Sequence, residues 1–272
     1  MTDVGCVQSL WRYPVRSMRG EELASAEVVA RGVLGDRCYC VVDVAEGRAA
    51  ETSYVPLRWS GLLGGEAALT QSPRAGSPPP PVRIRFADGP PRASDDPEVD
   101  AWLSERLGQP AALWRDADAD GAAIAGGEAE ASGRAVEIDA TAELPGAPPR
   151  SYDRAPILLL TTASLARAGS LYSDGHFAPA RFRPNIVLDT GTARGFVESD
   201  WIGRTLALGS ELRLELSEPC ERCVMTTLPQ AELEREPRIL ATLNAHNSGH
   251  MGVYARVVRP GALRRGDRAE LL

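Results

Sequence analysis

The sequence predicts a mainly β (α+β) fold, β-barrel material decorated by a few helices, in two domains. Strand-forming runs dominate both halves of the 272-residue chain. They do not alternate regularly with long helices, which argues against a doubly wound parallel sheet. A stretch rich in Ala, Gly, Asp and Glu separates the halves, so the domains are placed at 1–115 and 116–272, with a soft boundary across 110–150.

The first half reads as strands. Val4 to Tyr13 is an apolar-rich run ended by Pro14, Glu22 to Ala30 alternates loosely, and Arg37 to Val44 is rich in β-formers. Gly32 and Gly35 punctuate the gap between the last two. The proline-rich stretch from Ser72 to Pro81 is an exposed loop, and Val82 to Phe86 is a short strand. Asp96 to Leu107 predicts an amphipathic helix. Asp96 caps it, Pro97 takes its first position, and Val99, Trp102, Leu103 and Leu107 share a face. Gly108 ends it. Residues 115–150 hold few large apolar groups and read as a long surface connection.

The second half opens on the buried-strand pattern of Ala155 to Leu160, which runs into hydroxyl residues and a short helix reaching about Gly169. Asn185 to Asp189 and Glu211 to Glu215 are further strands, the latter with alternating Leu212 and Leu214. Pro237 to His246 is a helix. Val253 to Val258 and Ala269 to Leu272 are closing strands.

Composition excludes several function classes. The net charge of −7 repels nucleic-acid phosphates, so no nucleic-acid partner is expected. All 30 basic residues are arginine. A lysine Schiff base, a Walker A lysine and a lysine general base are therefore excluded, and any phosphate must be held by arginine, hydroxyls or backbone N–H groups. No stretch approaches about 20 consecutive apolar residues, so no membrane span is expected. The start lacks a basic region and a long apolar run, and the expected compartment is the cytoplasm. Five cysteines, Cys6, Cys38, Cys40, Cys220 and Cys223, do not suggest a disulfide framework. Cys38 and Cys40 are expected buried on one face of a strand.

Four segments carry candidate chemistry. Glu218 to Thr227 (EPCERCVMTT) holds a CxxC pair. It admits a zinc site completed by His246 and His250, a redox pair, two core cysteines, or a thiolate ligand for a soft metal with Arg222 favouring the anion. The residues after Cys223 read as a β-like run. In Arg181 to Asp189 (RFRPNIVLD) an extended chain places Arg181, Arg183 and Asn185 on one face, able to hold a phosphate and a polar heterocycle edge or simply to face solvent. Tyr13 to Met18 sets Arg16 and Ser17 after a proline-ended strand. Thr161 to Ser164 forms a strand-to-helix junction, an anion site or, at Thr162, a plain N-cap. His176 lines the pocket or sits in a surface loop.

The order YPVRS, GDR, LTTAS, RFRPN, PCERCVMTT, GVYARVV and RRGD resembles the MOSC family. It is most similar to the branch with an added N-terminal β-barrel domain, which includes the mitochondrial amidoxime reducing component and bacterial reductases of N-hydroxylated compounds. The match covers most of the chain and is weakest across 70–150. The resemblance implies a molybdopterin-type molybdenum cofactor in a cleft between two domains, with Cys223 as metal ligand and catalytic residue. It implies cofactor contacts from Arg16, Ser17, Arg37, Thr162, Ser164, Arg183, Asn185 and Thr226.

The implied reaction is two-electron oxygen-atom transfer that reduces an N–O bond and releases water. The implied partners are a small-molecule substrate and a separate electron-donor protein, since the chain has no ferredoxin-like cysteine set. Arg16 stands where the family often has lysine, and Leu228-Pro229 where many relatives have an acidic residue. Two alternatives stand beside this: a non-catalytic cofactor or sulfur carrier using a cysteine persulfide, and a fold recruited for metal-independent chemistry.

Overall fold

The computed structural model describes residues 1–50, 52, 58–115 and 155–272. In chain order its strands are β1 (Thr2–Arg12), β2 (Glu21–Leu23), β3 (Ser25–Val29), β4 (Gly32–Val33), β5 (Tyr39–Asp43), β6 (Arg48–Ala49), β7 (Glu66–Leu69), β8 (Val82–Arg85) and β9 (Arg92–Ala93). Helix α1 (Val99–Leu107) and β10 (Ala111–Arg115) follow. The second half contributes β11 (Ile157–Thr161), α2 (Thr162–Leu171), α3 (Pro179–Phe182), β12 (Ile186–Asp189), β13 (Thr205–Leu208) and β14 (Leu212–Glu221). It ends with α4 (Arg238–Asn247), β15 (His250–Arg259), β16 (Gly261–Arg264) and β17 (Arg268–Leu271).

The chain forms two compact units that interleave in sequence. Met1–Arg12 and Glu22–Leu34 join the C-terminal half in one, while Tyr13–Glu21 belongs with the segment that starts at Gly35. The expected boundary at 110–150 lies largely outside the described residues, as does most of the surface connection expected at 115–150.

The first unit is a closed seven-stranded barrel in the order β12, β11, β15, β14, β13, β17, β1, with β1 pairing back onto β12. Only β11 and β12 run parallel among its pairs; the other ladders are antiparallel. Alternation builds the interior. Leu212, Leu214 and Leu216 of β14 point inward and are fully buried, while Arg213 and Glu215 between them do not. They meet Ile157, Leu159, Ile186, Leu206, Val253 and Leu271 in one core. Burying each such side chain contributes about 1.5–3 kcal/mol.

β11 is buried along its whole length because it is covered on both faces. Ile157 and Leu159 enter the barrel core. Leu160 packs instead with Tyr172, Phe177, Phe182, Ile239, Leu243 and Met251, the cluster under the helices. This explains the unbroken apolar run in the sequence.

The second unit has its own core of Val15, Met18, Tyr39, Leu62, Ile84, Leu103 and Leu113, under the sheets β10-β5-β6 and β7-β8-β9. Helix α1 seals it with Val99 and Leu103, and Trp102 meets Phe86 edge to face at 5.6 Å. No helix among the described residues is long and apolar enough to cross a membrane.

The mainly β expectation holds, with local differences. α1 starts at Val99 rather than Pro97, because the Asp96 carboxylate accepts from Glu98 N–H at 2.9 Å and closes a turn ahead of the helix. Gly108 does end it, at φ 66°. Cys38 and Cys40 are both buried but join different clusters, since regular pairing begins only at Tyr39, after a left-handed Arg37. β7, β10, β13 and β16 have no strong sequence signal; β10, for instance, is Ala111-Ala112-Leu113-Trp114-Arg115 with only two large apolar groups.

Candidate functional site

The N-terminus of α2 is built by hydroxyls and one acid. Its capping residue is Thr161, whose Oγ1 accepts from Ser164 N–H at 3.1 Å; Thr162 is the first helical residue, not the cap. Thr161 Oγ1 also donates to Glu198 Oε2 at 2.7 Å, and Ser164 Oγ donates to the same oxygen. Glu198 is 1% exposed, in the 3-10 turn Val197–Trp201. Its Oε1 has no hydrogen-bond partner among the described residues. Burial raises its pKa, against the lowering effect of the Ser164 and Thr161 hydroxyls.

The positive end of this helix thus faces a carboxyl of the chain itself, and the Ser164 hydroxyl is turned inward. Thr162 is half-buried; its Oγ1 accepts from Thr190 N–H at 3.1 Å and lies 3.3 Å from Thr190 Oγ1. The sequence reading missed both Glu198 and Thr190. The available signal for Glu198 was an acid flanked by Phe196-Val197 and Trp201-Ile202, a turn whose apolar neighbours demand burial.

The Arg181 to Asn185 segment is not extended. Pro179 opens the short helix α3, and Arg183 follows it with left-handed backbone, φ 54°, its N–H donating to Pro179 O at 3.0 Å. Arg181, Arg183 and Asn185 therefore do not share a strand face, which corrects the sequence expectation. Arg181 is 2% exposed. Its Nε donates to His176 O at 2.9 Å, Nη2 to Glu234 O at 2.8 Å, and Nη1 to Thr226 O and Leu228 O at 3.4 Å each. Burial lowers its pKa, with Glu236 acting the other way. Asn185 is fully buried: Oδ1 accepts from Leu158 N–H at 3.1 Å and Nδ2 donates to Trp11 O at 3.4 Å, joining β11 and β1. Arg183 is 7% exposed. His176 is exposed.

The cysteine segment leaves β14 at Glu221. Cys223 has extended backbone and precedes a single 3-10 turn, Val224–Thr227, not the β-like run expected. Thr226 closes that turn: its N–H and Oγ1 donate to Cys223 O at 3.2 and 3.0 Å. Cys223 is the exposed thiol of the five; Cys220, Cys38 and Cys40 are buried and Cys6 is intermediate.

Arg222 does not spend its charge on Cys223 alone. Its Nη1 donates to Cys220 Sγ at 2.7 Å, Nη2 to Phe182 O at 2.9 Å, and the guanidinium lies 5.6 Å from the Phe182 ring centroid. Burial alone would lower its pKa; Cys220, Tyr254 and Cys223 outweigh that and raise it. Among the described residues no group of three or more His, Cys, Asp or Glu is arranged around a common metal position, so His246 and His250 do not complete a zinc set with the cysteines there.

Arg16, Ser17 and Arg37 lie in the second unit, where two segments pair. Arg37 N–H donates to Tyr13 O at 2.8 Å, Tyr39 N–H to Pro14 O at 2.9 Å and Arg16 N–H to Tyr39 O at 3.0 Å. The Arg37 guanidinium pairs with Asp36 and sits over the Tyr13 ring. Ser17 Oγ accepts from Thr52 Oγ1 at 3.2 Å.

One backbone feature links sites chosen from sequence. Non-glycine residues with left-handed φ among the described residues are Ser17, Arg37, Arg183, Ala231 and Ser248. Three of them are candidate cofactor contacts. Left-handed backbone costs about 1–2 kcal/mol for such residues, and strain of this kind concentrates at functional sites.

Comparison with known proteins agrees with the fold. The model of the MOSC domain matches residues 143–270, and that of the MOSC N-terminal beta barrel domain matches residues 4–57. A molybdenum cofactor sulfurase of Drosophila erecta is 35% identical over 82 residues, 29% of this chain and 10% of that protein. The enzyme of the same name from Drosophila pseudoobscura pseudoobscura is 38% identical over 76 residues, 27% of this chain and 9% of that protein. The chain thus spans about a tenth of the length of these relatives. Among solved structures, YuaD from Bacillus subtilis covers 98% of this chain and 94% of its own at 11% identity and a TM-score of 0.49. YiiM from Geobacillus stearothermophilus covers 43% of this chain and 54% of its own at 18% identity and a TM-score of 0.33. With both domain models matched over separate stretches of a barrel-forming chain, this protein belongs to the MOSC domain family.

Proposed function

We propose that this chain binds a molybdopterin-type molybdenum cofactor and reduces N–O bonds of N-hydroxylated compounds, with Cys223 as the thiolate ligand of the metal. The observation that carries the reading is the placement of Cys223. It is the exposed thiol, on a turn whose backbone is fixed by Thr226 and whose neighbours are held by Arg181 and Arg222. A soft metal needs an accessible, fixed thiolate.

The residues fit such a group in part. Cys223 would hold the metal, and Arg183 would meet the cofactor's anionic groups, for which a guanidinium fork is suited. Asn185, Ser164 and Thr226 have their polar groups engaged inside the unit and would support the site rather than touch the cofactor. Thr162, with Thr190 beside it, is the more accessible hydroxyl at that corner. For Arg16 the proposal rests on its motif, and for Ser17 and Arg37 on their motif and their left-handed backbone.

When bound, the cofactor supplies two-electron oxygen-atom transfer. The net conversion takes two electrons and two protons to give the reduced nitrogen compound and water. Electrons would come from a separate donor protein. The chain's own part is to fix the thiolate and to neutralise the cofactor's anionic charge with arginine.

The test is elemental analysis of protein from a host that makes molybdopterin, beside Cys223→Ser. Near-stoichiometric molybdenum in the wild type, lost in the variant along with hydroxylamine or amidoxime reduction, is expected. A Cys223→Ser protein that reduces an amidoxime at the wild-type rate overturns the proposal.

The similarity to molybdenum cofactor sulfurases favours a second reading, a sulfur or cofactor carrier. It predicts a persulfide, and on Cys223 rather than Cys220, because Cys220 is fully buried. Intact-protein mass spectrometry separates the two readings.

A further inference from the structure

We propose that Cys220 and Arg222 are a positioning pair, not a second metal ligand or a redox partner, and that they set the cysteine turn against the Arg183 corner. The inference rests on the reading that Cys223 is the ligand thiolate and adds a role for the other cysteine of the CxxC pair.

Three observations carry it. Cys220 is fully buried while Cys223, three residues on, is exposed, so the two thiols of the motif face different surroundings. The Cys220 sulfur is taken up by Arg222 Nη1 at 2.7 Å, a charge-assisted contact. The same guanidinium reaches across with Nη2 to Phe182 O at 2.9 Å and lies against the Phe182 ring. Phe182 is the last residue of α3, and the next residue is the left-handed Arg183.

The opposite tie comes from Arg181, whose guanidinium bonds Thr226 O and Leu228 O in the turn after Cys223. Two arginines thus cross between the same two segments, one in each direction. Arg222 Nε is buried with no hydrogen-bond partner among the described residues, so its orientation depends on the two nitrogens that Cys220 and Phe182 receive. Remove the sulfur and the fork loses its anchor on β14. The carbonyl of Phe182 then loses its fixed donor, and the Arg183 corner loosens together with the cysteine turn.

A merely space-filling cysteine predicts something else. Alanine or serine at 220 would then disturb packing around β14 and leave the α3 end unchanged.

The experiment is hydrogen exchange by mass spectrometry on cofactor-free wild type, Cys220→Ala, Cys220→Ser and Arg222→Gln, each checked for folding by circular dichroism. Exchange is expected to rise together at 181–183 and 224–228 in Cys220→Ala and Arg222→Gln, by on the order of tenfold, with the β14–β15 ladder unchanged. Cys220→Ser, which keeps an acceptor, is expected to restore most of the protection. If Cys220→Ala does not fold, Arg222→Gln against Cys220→Ser carries the comparison. Wild-type exchange at 181–183 in folded Cys220→Ala or Arg222→Gln overturns the proposal. So does a Cys220–Cys223 disulfide or a Cys220 persulfide as a main species in native protein.

Molybdenum content adds a second readout: Cys220→Ala is expected to load several-fold less than Cys220→Ser, although both keep Cys223. A wild type that takes up no molybdenum sinks the cofactor reading, while the exchange result stands or falls separately.

Discussion

Ser164 and Glu198 share a buried hydrogen bond: the hydroxyl of the first turn of α2 donates to a carboxyl that is 1% exposed. The carboxyl is held on one oxygen by two hydroxyls, and burial pushes its pKa up. A carboxyl whose pKa is raised on folding adds stability that is fully present below the unfolded range, near about 4.3, and is lost as pH rises through the folded value. Glu198→Gln keeps the shape and an acceptor without the charge. Its stability relative to wild type should therefore grow as pH is raised from the acid range toward neutrality. Urea unfolding at three pH values checks this, and a difference independent of pH would refute it.

Arg181 is expected to be structural. Arg181→Met strands carbonyls of His176, Thr226, Leu228 and Glu234 and should cost about 3 kcal/mol. Arg181→Lys keeps the charge but not the fork and should recover less than half of that loss. Denaturant melts of both variants decide. A loss below about 1 kcal/mol in Arg181→Met would mean that these carbonyls find other donors.

Ser248 tests the backbone argument away from any candidate site. It ends α4 at φ 51°, with its side chain exposed. Ser248→Gly should stabilise by about 0.5–1 kcal/mol, since glycine takes this conformation freely. Ser17→Gly and Arg183→Gly remove similar strain but also remove groups proposed to meet the cofactor. Molybdenum content, not the melting temperature, should report their loss.

The barrel core sets a scale for the rest. Leu214 is fully buried among Leu206, Val253 and the other inward leucines of β14. Leu214→Ala should cost about 2–5 kcal/mol by the lost transfer energy and the cavity left behind. Thermal unfolding measures it, and a cost near zero would contradict a close-packed interior.

Much of this was legible in the chain. Alternation in Leu212-Leu214, the apolar run of β11 and the Gly108 end of α1 follow from local patterning, which the sequence carries directly. The motif order pointed to the MOSC family, whose two domain models match the chain. Other features were not legible because they depend on partners far away in sequence. The extended reading of Arg181 to Asn185 failed once Pro179 opened a helix and Arg183 turned left-handed. The N-cap moved from Thr162 to Thr161 because Glu198, 37 residues from Thr161, takes that hydroxyl.

Side-chain chemistry and period-two patterning are local, so the residue types at hand and the strands with a dry face can be read along the chain. Which partner each polar group finds depends on the fold. A hydrogen bond is satisfied by whatever the fold brings within about 3 Å. Folding gave Cys220 to Arg222, Asn185 to Leu158 and Trp11, and Ser164 to Glu198, and left Cys223 facing outward.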